Sequence, residues 1–247
     1  MNTGYRYKFA ALVCAISLMA LGVVILGQKV DAAPPSGGSV SGTVKLDGTP
    51  PHERAIDMSK EPSCAKEHAA NPVRVETVVV GPNGGLQNVV VYASQGLSGN
   101  EGSSTNVQIW DQKGCQYIPH VMAMNPGQHF KVVNSDQTSH NIHPQPKNNS
   151  EWNKSQPPGS QPFDVSWANP ELAINVKCNI HPWMHGYMAV VKGPYAVSSN
   201  SGDFKLEGLA PGKYTLTAWQ ESYGTQTQSV TVAAGKPTSV SFTFKAK

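Results

Sequence analysis

The residues with the clearest chemical content lie between positions 178 and 188. Cys178, His181 and Met184 follow one another at three-residue spacing and offer a thiolate, an imidazole and a thioether. All three are soft or borderline donors, a set that suits copper better than hard cations. A trigonal copper site of this kind takes a second imidazole and leaves the thioether as a weak axial ligand. His140 is the candidate, because it ends the stretch 127–140, in which a β-type run passes through a polar turn into the histidine. On this reading a strand end delivers His140, and the hairpin after the strand 173–178 delivers the other three ligands. The folded sheet, rather than the metal, sets the spacing.

Taken singly, each residue has a plainer reading. Cys178 alone is a buried apolar residue or half of a disulfide, and Met184 and Trp183 alone are core residues. Their joint order carries the metal reading. His143, His185 and Met188 are extra donors nearby. Met188 reads as packing on the following strand. His143 and His185 read as exposed or supporting histidines, with an electron-exit edge or a second, weaker copper site as the alternative.

The segment Val132-Val133-Asn134-Ser135-Asp136, then Ser139-His140-Asn141, then Cys178-x-x-His181-Pro182-x-Met184, resembles the cupredoxins of the amicyanin and plastocyanin type. The resemblance covers roughly residues 105–192. It implies one type 1 copper ion held by His140, Cys178 and His181, with Met184 axial, and single-electron transfer between redox proteins rather than enzymatic turnover. Asn141 and Asn179, beside two of the ligands, are the expected hydrogen-bonding support. Trp183 and Tyr187 are the expected apolar rim at which a redox partner docks. The competing readings are a periplasmic copper-binding or delivery protein and a copper oxidoreductase. The last needs an open coordination position and usually a second copper centre, and no second complete ligand set is apparent in the sequence.

These ligands need a rigid scaffold, and the composition points to an all-β one. Glycine (23) and proline (19) are plentiful, and short Val/Thr/Tyr-rich runs alternate between turn residues, with no long amphipathic helix. A formal net charge of +3, with no Lys/Arg stripe, speaks against nucleic acid as a partner. The segment 39–46 alternates as a strand and ends at Asp47-Gly48, a turn. Residues 75–80 and 89–93 flank Pro82-Asn83-Gly84-Gly85 and read as a hairpin or near-hairpin.

Two distant segments share a second resemblance. Gly42-x-Val44-x-x-x-Gly48-x-Pro50, the run 202–219 and the strands 226–232 and 238–244 resemble the carboxypeptidase regulatory-like, transthyretin-type β-sandwich. The expected organisation is a regulatory-like sandwich of 39–104 and 194–247 carrying the cupredoxin-like domain, 105–193, as an insertion; three segments in series is the alternative. No H-E-x-x-H zinc-protease motif accompanies it, and Glu207 and Glu221 read as single carboxylates among strands and turns.

Residues 1–33 read as a signal peptide or an uncleaved membrane anchor. Arg6 and Lys8 precede the uncharged run 9–27, which as a helix would span about 28 Å, and Val30-Asp31-Ala32 offers a cleavage site. Either outcome exports the rest, to the periplasm or to the outer side of the inner membrane. With Cys14 in that segment and Cys178 at the metal, Cys64 and Cys115 remain. In an exported chain they are expected to form a disulfide. The alternative is a metal site built from Cys64-x3-His68 and Cys115-x4-His120.

Overall fold

The computed structural model describes Met1 and residues 37–52, 54–99 and 101–247; the expected targeting segment, with Cys14, lies outside the described residues. The first described elements are β1 (Gly38–Asp47), a short helix α1 (Pro62–Glu67) and β2 (Val90–Gln95). There follow β3 (Gln108–Lys113), β4 (Gln116–Ile118), β5 (Val121–Met124), β6 (His129–Asn134), β7 (His140–Gln145) and β8 (Lys154–Gln156). Next come β9 (Phe163–Ser166), β10 (Glu171–Lys177), β11 (His185–Val190) and β12 (Tyr195–Val197). The last four are β13 (Asp203–Leu209), β14 (Gly212–Gln220), β15 (Gly224–Val232) and β16 (Pro237–Lys245). The protein is all-β, and among the described residues no helix is long and apolar enough to cross a membrane.

Among the described residues four sheets form, ordered β13-β1-β16, β12-β2-β14-β15, β5-β11-β10-β7-β8 and β4-β3-β6-β9. Most neighbours are antiparallel, but β1–β16, β5–β11 and β3–β6 pair in parallel. Three apolar clusters stack the sheets. The first buries Val40, Val44, Leu206, Leu216, Phe242 and Phe244 between the first two sheets. The second buries Trp110, Phe130, Ile142, Ile174, Val176 and Met188 between the last two. The third joins the inner pair through Val90, Val121, Ala123, Ala189, Val191 and Trp219.

Strand periodicity explains which side chain goes where. On β16 only Val240, Phe242 and Phe244 are buried, at every second position, since its other face meets water. On β5 all four residues, Val121 to Met124, are buried. Its sheet is covered on both faces, so its apolar run is continuous rather than alternating.

The expected near-hairpin over 75–93 takes a different form. Residues 75–80 are not a strand; a single bridge, Val80 to Leu86, closes a 3-10 turn at Pro82–Gly84, with Asn83 in the left-handed region at φ 55°. Leu86 then goes into the first core, and the chain pairs regularly only from Val90.

The first sandwich is left and re-entered at adjacent strands. The chain departs from β2 and returns at β12, which pairs antiparallel with it in the register Tyr195 to Tyr92. Asn125, buried, draws the two connections together: its Oδ1 accepts from Ser104 N (2.6 Å), and its Nδ2 donates to Val191 O (2.8 Å) and Gly193 O (2.7 Å). Cys64 and Cys115 form a disulfide. This overturns the alternative four-residue metal site: His68 instead donates to Gly114 O at 2.8 Å, and His120 pairs with Glu221.

Candidate metal centre

His140 is the first residue of β7, and Cys178 directly follows β10, its antiparallel neighbour. Residues 178–184 form the turn between β10 and β11. That turn is closed by Met184 N–H to His181 O (2.9 Å) and Cys178 N–H to Met184 O (2.9 Å). Its ends are thus held within one small loop, and Pro182 stiffens the backbone beside His181. Met184 sits with Cys178 in the second apolar cluster.

The donor atoms of His140, Cys178 and His181 lie within 4.8 Å of one another, and all three residues are buried. His140 Nδ1 is 2.9 Å from His181 Nδ1, which in turn is 3.7 Å from Cys178 Sγ. A metal bound at about 2.0–2.3 Å would hold such donors about 3.3–3.7 Å apart, so the imidazoles need to part by only a few tenths of an ångström.

The hydrogen bonds around the rings settle which nitrogens face the centre. His140 Nε2 is 2.7 Å from Asp136 Oδ2 and, facing a carboxylate, carries a proton there, while its Nδ1 faces the centre. Asp136 is fixed in turn by Gly114 N–H (2.7 Å) and Cys115 N–H (2.8 Å). Gly114 and Cys115 both have positive φ, 62° and 55°, and this turn aims consecutive amides at one carboxylate. The disulfide at Cys115 is therefore two hydrogen bonds from His140. His181 Nε2 is buried without a hydrogen-bond partner; Glu61 Oε2 stands 3.7 Å away, an ion-pair distance only.

Electrostatics favour a cation. Burial opposes ionisation of Cys178, yet the hydrogen bonds from His140 and from the backbone of Asn141, His181 and Ile180 prevail and hold the thiol below its ordinary value. Burial also opposes charge on His140, but Asp136 and Cys178 push it up to about 9. Burial, followed by the charge of His140, pushes His181 down. A thiol held below its ordinary value and two imidazoles thus face one buried point, and a soft or borderline metal ion fits the same donors.

The expected supporting residues divide. Asn141 Oδ1 accepts from Cys178 Sγ (3.3 Å) and from Asn179 N–H (2.7 Å), as anticipated. The Asn179 side chain does not reach the sulfur; its Oδ1 meets His143 Nδ1 at 3.1 Å, while His143 Nε2 meets Glu151 at 2.6 Å. Met188 is fully buried in the second core. Tyr187 is no part of a rim: it packs on Trp219, 5.4 Å between ring centroids, in the third cluster. Trp183 lies beside His181 at 5.2 Å and donates to Cys115 O at 3.2 Å, and Ile180 is exposed. Asp136 escaped assignment although it stands four residues before His140, because an i, i+4 spacing outside a helix predicts no contact.

Residues 190–245 match the family model of the carboxypeptidase regulatory-like domain. No curated protein matches the chain. Among solved structures, a mutant of amicyanin in its reduced Cu(I) form aligns at 16% identity over 42% of this chain and 99% of its own, with a TM-score of 0.30. A purple cupredoxin from Nitrosopumilus maritimus aligns at 23% identity over 30% of this chain and 81% of its own, with a TM-score of 0.27. A Cu-containing nitrite reductase from Thermus scotoductus SA-01 aligns at 17% identity over 34% of this chain, with a TM-score of 0.32; the chain spans 22% of that enzyme's length.

Proposed function

We propose that this protein is an exported, mononuclear copper protein that carries single electrons between redox partners. The observation that carries the reading is the convergence of His140 Nδ1, His181 Nδ1 and Cys178 Sγ on one buried point, beside the buried thioether residue Met184. His140, Cys178 and His181 would be the equatorial ligands and Met184 the weak axial one. Copper, when bound, supplies a one-electron couple. The chain's part is to hold that donor set still. Asp136 orients His140, the backbone amides of Asn141 and His181 place hydrogen bonds on the sulfur, and the closed 178–184 turn keeps water out. Rigid, dry donors limit rearrangement on electron transfer and tune the potential through the sulfur's hydrogen bonds.

In this reading residues 105–193 are the copper-carrying module, inserted in a regulatory-like sandwich of 39–104 and 194–247 that acts as scaffold. The adjacency of β2 and β12 supports it. The Cys64–Cys115 disulfide supports an oxidising compartment, with the periplasm or the outer side of the inner membrane as the location. The redox partner would meet the ligand turn at exposed Ile180, since Glu61 lies against the His181 edge.

The test is an optical and EPR titration of the chain with one equivalent of Cu(II). The expected result is an intense thiolate-to-copper charge-transfer band with narrow copper hyperfine splitting, abolished in Cys178→Ser. A weak, broad d–d spectrum in the wild-type chain would remove Cys178 from the ligand set and leave copper storage or delivery through the histidines as the reading.

A further inference from the structure

A second group of donors lies where the two sandwiches meet. We propose that His120, His185 and Glu221 form a metal site of their own, for a borderline divalent cation, Zn(II) or Cu(II). Their ligand atoms lie within 4.8 Å of one another. Glu221 is the carboxylate that the sequence left as an isolated one among strands and turns, and His185 is not simply an exposed histidine.

Three separate elements deliver these residues. His120 directly precedes β5, and His185 opens β11; the parallel β5–β11 pairing and the bond from Tyr187 N–H to His120 O (2.9 Å) bring them together. Glu221 follows β14, in a turn pinned by Gln220 Oε1, which accepts from Ser222 N–H (2.7 Å) and Tyr223 N–H (3.0 Å). Strand alternation sends His185 to this seam although Met184, its neighbour, enters the copper-side core. Along β11, Tyr187 and Ala189 face the seam and Met188 and Val190 the core.

The rings are set for ligation. His185 Nδ1 is 3.0 Å from Trp183 O, a carbonyl that only accepts, so Nδ1 carries the proton and the Nε2 lone pair is free. A backbone carbonyl holding the outer ring nitrogen is the usual support of a metal-bound histidine. His120 stands edge-on to His185 with centroids 5.3 Å apart, and its Nε2 is 2.6 Å from Glu221 Oε1. The side chain of Glu221 is 4% exposed, and a second carboxylate, Glu76, lies 3.9 Å from His120 Nδ1. Two carboxylates thus stand beside the imidazoles, with Arg74 in the lining of the adjoining cavity.

A cavity of about 20 Å³, lined by Arg74, Glu76, Gln116, His120, Met184 and His185 among others, adjoins the group. It has room for about one water molecule. Three protein ligands and a water is the coordination of an open zinc-type site. With two imidazoles, one carboxylate and no sulfur, the set discriminates against Cu(I) and separates this site chemically from the Cys178 centre.

The experiment is a Zn(II) titration of the full chain, followed by calorimetry and by metal analysis after gel filtration. It compares Cys178→Ser with Cys178→Ser/His185→Ala and Cys178→Ser/Glu221→Gln. The expected result is one zinc equivalent in Cys178→Ser that weakens by at least about a hundredfold when His185→Ala or Glu221→Gln is added. Glu221→Gln keeps the side-chain volume, and an unchanged near-UV circular dichroism spectrum shows that it is folded. The proposal is overturned if Cys178→Ser binds no zinc at micromolar free metal, or if the two double variants bind it as tightly as Cys178→Ser. Because the decisive equivalent is read in a chain without the thiolate, it fails or holds independently of the copper reading.

Discussion

Asp136 is the residue on which the geometry around His140 turns, and replacing it by alanine measures how much. Its carboxylate accepts from Gly114 N–H, Cys115 N–H and His140 Nε2–H, at 2.7, 2.8 and 2.7 Å. Asp136→Ala leaves three buried donors without a partner, at about 1–3 kcal/mol each. With some relief from entering water the chain should lose about 3–5 kcal/mol, a large part of the roughly 5–15 kcal/mol of a typical domain but not all of it. His140, freed to rotate, should hold copper about 10–100-fold less tightly, or about 1.4–2.7 kcal/mol. Urea unfolding of the disulfide-intact chain reads the first effect, and competition with a copper chelator reads the second. Asp164→Ala, an exposed carboxylate on β9, is the control and should stay within about 0.5 kcal/mol of wild type. If Asp136→Ala unfolds with the control and binds copper like wild type, the chain of contacts from the Cys115 turn through Asp136 to His140 does not hold the site.

Further outcomes can be checked on the same protein. Replacing both Cys64 and Cys115 with serine should cost about 4 kcal/mol by opening a closure of 51 residues, and should weaken copper binding too, because the Cys115 amide anchors Asp136. Gly42→Ala should cost at least about 3 kcal/mol in the urea midpoint, since its Cβ would stand 1.6 Å from Val240 O and force β1 from β16. Trp110→Ala, in the centre of the second core, should cost about 3–5 kcal/mol. All six described tyrosines, Tyr92, Tyr117, Tyr187, Tyr195, Tyr214 and Tyr223, are pushed above the usual phenol value, in each case first by burial. A folded-state value above the unfolded one means that stability is intact below about pH 10 and falls as pH rises beyond it. Urea midpoints at pH 9 and pH 11, read beside phenolate absorbance, should show that loss, and an unchanged midpoint would contradict the burial of these hydroxyls.

What the sequence determined by itself was local. Three-residue spacing places Cys178, His181 and Met184 on one turn whatever surrounds it, and period-two alternation marks β13 and β16 because each has one wet face. Cysteine arithmetic in a chain expected to be exported singled out Cys64 and Cys115, because only a few outcomes were open to them. What the tertiary structure alone decided were contacts between residues far apart in the chain. Asp136 meets the Cys115 turn, Tyr187 turns to Trp219 instead of the ligand loop, and Asn125 joins both connections of the 105–193 segment. Glu221 comes to His120 across 101 residues. No spacing rule reaches such pairs, because strand pairing and sheet stacking fix them, and the free energy that selects one stacking is shared among many buried side chains rather than written in any one segment.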